Sequence, residues 1–116
     1  MATNDFVVGT VVAQSRPSDT NAASVYSPAA GTVLIVTRVL VVNTSAGNDT
    51  FSIFLDRDGT TYDQSTALFY QETLNSKTTR EIEGHWFLDN SSGNLAVQSG
   101  TGSAITYTFF GAISQR

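Results

Sequence analysis

The sequence predicts an all-β protein, an antiparallel β-sandwich or jelly roll of about eight strands that fills residues 1–116 as one domain. Three observations carry that expectation. Charged residues make up only 14% of the chain, against about a quarter in an average globular domain. Thr, Ser, Asn and Gly take their place, which suits strands and turns better than helices with a Lys- and Glu-rich wet face. Short stretches of alternating apolar and polar residues recur, each closed by turn-forming residues. Finally, 116 residues suffice for one core, and the absence of cysteine leaves nothing to staple two smaller ones.

The elements follow in order. A first strand is expected from Asp5 to Ala13, then a polar loop from Ser15 to Ala23 that contains Pro17. Val25-Tyr26 is a short strand, and Pro28-Ala29-Ala30-Gly31 turns the chain into a long one, Thr32 to Asn43. Thr44 to Asn48 is a turn in which Gly47 can take positive φ. Thr50 to Asp56 is the next strand, closed by Asp58-Gly59. A single helical turn is expected near Ser65 to Leu68. Leu68 to Leu74 and Thr78 to Ile82 flank Asn75-Ser76-Lys77 as a hairpin, and Gly84 separates the latter strand from His85 to Leu88. Leu95 to Ser99 and Ala104 to Ile113 complete the set.

Most of these strands read as one-sided. Ile105, Tyr107, Phe109 and Ile113 share a face. Ile82, Trp86 and Leu88 oppose Glu81, Glu83 and His85, and Phe51, Ile53 and Leu55 form a third set. Two segments are apolar on both sides. Val33, Ile35, Val39 and Val41 fall on one face of the long strand, and Leu34, Val36, Leu40 and Val42 on the other. In the first strand Phe6, Val8 and Val12 oppose Val7 and Val11. Phe54 and Phe110 also point away from their strands' core sets. A two-sided apolar strand needs cover on both sides. Each uncovered side chain forgoes roughly 1.5–3 kcal/mol of burial. A subunit interface is therefore expected, with Phe54, Phe110, Leu34, Val36, Leu40 and Val42 as its candidate residues. The competing reading is that a loop such as Ser15 to Ala23 folds over them.

Several function classes are disfavoured. The net charge is −4, and Lys77 and five arginines are scattered, so no basic cluster meets a phosphate backbone and no nucleic-acid partner is expected. Met1 to Asp5 lacks the basic region of a signal peptide. The longest apolar stretch, Val33 to Val42, is interrupted by Thr37 and Arg38. It falls well short of the twenty or so residues of a membrane helix, so no membrane partner is expected.

Asp56-Arg57-Asp58-Gly59, with Asp63 following, has the look of a calcium loop, but the glycine comes too early and no glutamate closes it. Asp58-Gly59 is better read as a hairpin turn, and no metal or other cofactor is expected. His85 is the only histidine. Glu83 beside it on the same face could serve as its partner, although an exposed pair on a wet strand is ordinary surface. No nucleophile motif or phosphate loop is present, so no catalytic residue is assigned. Trp86 and tyrosines 26, 62, 70 and 107 could stack on sugar rings, but Trp86 and Tyr107 belong to core sets, which leaves Tyr62 as the free aromatic.

Certain pieces recur in a recognisable order: Ala13-Gln14-Ser15-Arg16-Pro17, Tyr26-Ser27-Pro28-Ala29-Ala30-Gly31, Val41-Val42-Asn43-Thr44 and Asp56-Arg57-Asp58-Gly59-Thr60-Thr61-Tyr62-Asp63. Thr66-Ala67-Leu68-Phe69-Tyr70, Gly93-Asn94-Leu95-Ala96-Val97-Gln98 and Ala104-Ile105-Thr106-Tyr107-Thr108-Phe109-Phe110-Gly111 follow. From Val12 to the end, this order resembles a family of small phage and prophage structural proteins. Such proteins serve as capsid decoration (cement) proteins or as head-fibre, neck or tail components.

The resemblance implies a non-enzymatic β-sandwich that assembles on a virion made in the cytoplasm of a bacterial host. Its partners would be itself, often as a trimer, and the major capsid protein or another virion protein. A decoration protein that reinforces contacts between capsid subunits is the first expectation. A carbohydrate-binding module, or a tail-fibre or baseplate piece of a phage, is the alternative. A cupin-like enzyme ranks last because the histidine cluster it needs is missing.

Overall fold

The computed structural model describes residues 10–115, which form eight strands and no helix. The strands are β1 (Thr10–Ser15), β2 (Ala23–Tyr26), β3 (Thr32–Asn43), β4 (Asp49–Asp56), β5 (Ala67–Leu74), β6 (Thr79–Leu88), β7 (Asn94–Ser99) and β8 (Ile105–Gln115). They build two antiparallel sheets, one ordered β1-β8-β3-β6 and the other β2-β7-β4-β5. The chain crosses between sheets after β1, β2, β3, β5, β6 and β7, which is the double Greek key of a jelly roll.

The residues from Asp5 to Gly9, with Phe6, Val7 and Val8 of the expected first strand, lie outside the described ones. Two other expectations change. The two strands expected on either side of Gly84 are one continuous β6. The helical turn near Ser65 is an ordinary turn, closed by Thr66 N donating to the Asp63 carbonyl at 3.1 Å, and β5 begins at Ala67.

The two-sided character of β3 also resolves. Against β8, Val36 pairs with Gly111 and Arg38 with Phe110, so Thr37 is an extra residue in a β-bulge; against β6 the register shifts at the same point, where Gly84 and His85 stand opposite Thr37. A bulge reverses the parity of everything beyond it. Leu34 and Val36 face the core before the bulge, and Val39 and Val41 face it afterwards. Thr37 Oγ1 ties the bulge to the Phe110 carbonyl at 3.3 Å. Gly111 opposes it on β8, and a Cβ there would run into the Ile35 carbonyl, so only glycine lets β3 come this close.

The core lies between the sheets. Phe51, Ile53, Leu95, Val97, Ile105, Tyr107 and Phe109 are fully buried there. Tyr107 reaches across from β8 to the opposite sheet. Its hydroxyl donates to the Gln98 carbonyl at 2.7 Å and lies 3.0 Å from Ser99 Oγ. Burial pushes this phenol up to about 12, only partly opposed by its Ser99 contact.

Polar side chains at strand ends pin the loops. Asn43, fully buried, donates through Nδ2 to the Gly47 and Leu74 carbonyls and accepts from Ser45 N at 2.9 Å. Asn94 does the same work for the loop after β4, with Nδ2 donating to the Gly59 carbonyl at 2.8 Å. Among the described residues no buried side-chain nitrogen or oxygen lacks a partner, as a well-determined core requires.

Candidate interaction surface

Each sheet turns one face to the core and one outward, and the six candidate interface residues divide between them. Leu34 and Val36, at 1% and 2% exposure, belong to the core because the bulge comes after them. Phe54 does point away from the core, yet it is 0% exposed. The chain covers it: Tyr62, in the loop after β4, lies 6.3 Å from its ring and Tyr70 of β5 meets it edge-on at 6.4 Å. These three are not surface residues. The covering loop runs through 57–66, and is not the Ser15 to Ala23 segment.

That covering loop owes its shape to aspartates. Asp56 accepts from Thr61 N at 2.8 Å and from Asp58 N at 3.2 Å, and those backbone hydrogen bonds hold its carboxyl below the usual range. Asp63 accepts from Ser65 Oγ at 2.6 Å and from Ser65 N at 2.8 Å, which lowers it likewise. The carboxylates suspected of calcium binding thus act as acceptors that close turns. Among the described residues no three acidic, histidine or cysteine side chains converge as a metal site. Tyr62 is therefore half-buried rather than free. The more exposed tyrosine is Tyr70.

Phe110, Leu40 and Val42 do lie outward, on the sheet β1-β8-β3-β6, each half-buried. Register sets their neighbours. Along β3 the outward row reads Val33, Ile35, Arg38, Leu40, Val42. Opposite them on β8 stand Ser114, Ala112, Phe110, Thr108 and Thr106. Phe87 of β6 flanks Ile35, and Val11 of β1 flanks Phe110. Phe87 is 60% exposed and Val11 50%, the two most exposed large apolar side chains among the described residues. Phe87 was missed by patterning, although its odd number places it with Glu81, Glu83 and His85, where a phenylalanine has no reason to be on a purely wet face.

The charges on this face are few and mostly engaged. The Arg38 guanidinium lies 4.8 Å over the Phe110 ring and 3.2 Å from Glu81. Such exposed pairs add little to stability, about 0–1 kcal/mol, but they flatten the arginine onto the sheet. Glu83 and His85 sit exposed along the outer strand β6.

The outward face of the other sheet has a concave feature. Thr50, Ser52, Gln71, Gln98, Ser99 and Gly100 line a cup of about 60 Å³. It forms where β5 bulges at Gln71, whose φ is 51° and whose N–H donates to Ser52 Oγ at 2.8 Å.

No family model matches the chain, and no curated protein does. Solved structures do share its fold. A protein of the infectious bursal disease virus particle superposes with a TM-score of 0.53 at 16% identity, over 93% of this chain. The chain spans only 29% of that protein's length. The tobacco streak virus coat protein aligns over 99% of this chain and 88% of its own, with a TM-score of 0.49 and 13% identity. A xylan-binding domain of carbohydrate-binding module family 22 aligns over 74% of this chain and 57% of its own, at 0.38 and 14%. At such identities the likeness to the virus particle protein is one of fold.

Proposed function

We propose that this chain is a non-enzymatic structural protein of a virion, a capsid decoration protein of a phage that reinforces contacts between neighbouring shell subunits. The observation that carries the reading is the outward apolar face of the β1-β8-β3-β6 sheet, where, among the described residues, Phe87 and Val11 are exposed beside the half-buried Ile35, Phe110, Leu40 and Val42. Exposed apolar area of this kind marks a contact surface. The jelly roll supports it as a fold, since the virus particle protein is built on it too. The order of sequence pieces supports the narrower assignment to a phage.

The mechanism is adhesion: the chain assembles with itself and then seats on the shell, with the major capsid protein as the second partner. Antibody labelling of purified particles, with mass spectrometry of their proteins, tests this. The chain should be present in a fixed ratio to the major capsid protein, and particles lacking it should break at lower temperature. Absence from washed particles would remove the reading.

A second reading, a carbohydrate-binding module of a phage, draws on the polar cup between Gln71 and Gln98 beside the exposed Tyr70. A glycan array whose hits vanish with Gln98→Ala would place this reading first.

A further inference from the structure

The outward side of the sheet β2-β7-β4-β5 carries a row of polar groups around Ser52. This serine points away from the core on β4, between the core residues Phe51 and Ile53. β4 is an inner strand, so Ser52 has a neighbour on each side. Gln98 of β7 pairs with it. On β5 the pairing steps from Glu72, opposite Phe51, to Phe69, opposite Ile53, so Tyr70 and Gln71 both stand opposite Ser52. Two residues against one make a bulge, and Gln71 takes up the irregularity with φ at 51°. A small residue is thus flanked by two long amides and a ring, and the cup lies above it.

The hydrogen-bonding groups around this cup are not all engaged. Ser52, only 2% exposed, accepts at Oγ from Gln71 N at 2.8 Å, and its own O–H meets no acceptor among the described residues. A buried hydroxyl that gives its proton to nothing loses a bond it had in water, so the cup needs an acceptor oxygen. Gln98 donates through Nε2 to the Thr20 carbonyl at 3.0 Å, which leaves its Oε1 open. The Gln71 amide and the Thr50 hydroxyl are likewise unengaged among the described residues. Gly100 keeps Thr50 accessible, because a Cβ there would stand 2.6 Å from Thr50 Oγ1.

No ionisable side chain lines the cup, and a charged guest would lose its hydration without a counter-charge. What remains matches a neutral ligand rich in hydroxyls. Tyr70 adds an apolar component. Its residue is 38% exposed, and Phe54 braces its ring edge-on at 6.4 Å.

We propose that this row binds a saccharide, with a face of the sugar ring on Tyr70 and its hydroxyls reaching into the cup. A sugar hydroxyl, donor and acceptor at once, accepts from Ser52 Oγ and donates to Gln98 Oε1. Gln71 closes the site from the β5 side. The sandwich places the cup opposite Phe87 and Val11, which lie on the other sheet. A chain seated on a particle through β1-β8-β3-β6 therefore turns the cup outward, where a sugar on a cell surface can reach it.

This site rests on the carbohydrate-binding reading, to which it adds the residues and the class of ligand. Its test is an amide-resolved NMR titration of the purified chain with methyl glucopyranoside, methyl galactopyranoside and methyl mannopyranoside at millimolar concentration. The amides of Ser52, Gln71, Gln98 and Gly100 should shift along a saturating curve with at least one of them, while Phe87 stays still. Ser52→Ala and Gln98→Ala should each weaken binding about tenfold. Ser52→Ala also removes the anchor of Gln71, so Gln98→Ala, at a half-buried side chain, is the variant that spares the fold. With no ionised group in the cup, affinity should hold up to about 1 M salt, where charges are screened within about 3 Å.

No shift with any of the three pyranosides, or shifts that Gln98→Ala leaves intact, would overturn the proposal. So would a steep loss of affinity with salt. Equal shifts from glycerol, the acyclic control, would overturn the sugar assignment, because the ring on Tyr70 would then contribute nothing. Glycan-array hits that persist in Gln98→Ala, with moving amides elsewhere on the chain, sink this site and leave the carbohydrate reading standing. A chain found in particles that binds no sugar sinks the site and leaves the virion reading standing. Sugar held at the cup by a chain that never enters particles supports the site and sinks the virion reading.

Discussion

The two outward faces of this jelly roll solve the same problem differently. Each carries a phenylalanine pointing away from the core, Phe54 on β4 and Phe110 on β8. Around Phe54 the chain spends a ten-residue loop, shaped by Asp56 and Asp63, to bring Tyr62 over the ring. Beside Phe110 stands Arg38, stacked at 4.8 Å, and Phe87 and Val11 on the same face stay exposed. The first face covers its phenylalanine completely, although Leu68 and Tyr70 beside it stay 38% exposed. The second leaves more apolar surface open, with Phe87 at 60% and Val11 at 50%.

The largest expected effect breaks the finished face. Phe54→Ala removes a fully buried ring and the partner of both Tyr62 and Tyr70. It should cost about 3–5 kcal/mol, read as a shift in the urea midpoint, and leave the oligomeric mass of the surviving folded fraction unchanged. A cost under about 1 kcal/mol would mean that the loop does not seal this face.

Tyr107 joins the two sheets, and its chemistry gives a pH test. Its folded pKa, about 12, stands above the unfolded value near 10, so folding favours the neutral phenol. The contribution is whole below pH 10 and is lost as pH rises from 10 towards 12, where the unfolded chain gives up the proton first. At about 1.4 kcal/mol per pH unit that loss reaches about 2–3 kcal/mol. Tyr107→Phe should start about 1 kcal/mol less stable, for the lost hydrogen bond, and show a shallower alkaline decline. Parallel declines would show that the phenol is not held by burial.

Gly111→Ala tests the bulge that decides which residues the open face presents. The new methyl meets the Ile35 carbonyl, so β3 and β8 must part where Ile35 turns outward. A cost of about 1–3 kcal/mol is expected for such overpacking, measured by thermal melts. An unchanged melting temperature would show that the two strands can separate there at no cost.

That bulge also explains what patterning could and could not see. Strand positions followed from alternation and turn residues. The one-sided sets at Phe51, Ile53 and at Ile105, Tyr107, Phe109 are core in the structure. Leu34 and Val36 were misplaced because one extra residue at Thr37 reverses parity, and nothing in Thr37-Arg38 distinguishes a bulge from a continuous strand. Phe54 was placed on the correct side of its sheet, but its cover is a long-range contact set by Asp56, Thr61 and Tyr62, invisible to periodicity. Asn43 and Asn94 look like turn residues in sequence, and only the fold shows that they are buried pins. Which side chains stand side by side on the open face depends on the register between β3 and β8, residues about seventy positions apart, which no local window contains.

The smallest expected effect on stability is also the sharpest contrast with Phe54. Phe87 has the same side chain on the other outward face, with 60% of its surface already in water. Phe87→Ser therefore removes little burial from a single chain. The backbone stays in β6, where serine is tolerated though less favoured than phenylalanine, and no buried polar atom loses a partner. In dilute solution, where copies do not meet, the urea midpoint should move by less than about 0.5 kcal/mol. If copies associate through this face, as the proposed adhesive role expects, the same change should lower the apparent stability relative to wild type at high concentration, because association adds to wild-type stability by mass action. The test is thus a difference of differences: wild type and variant should coincide at low protein concentration and separate as concentration rises. A gap of several kcal/mol already present at the lowest concentration would mean that Phe87 is covered within its own chain, as Phe54 is.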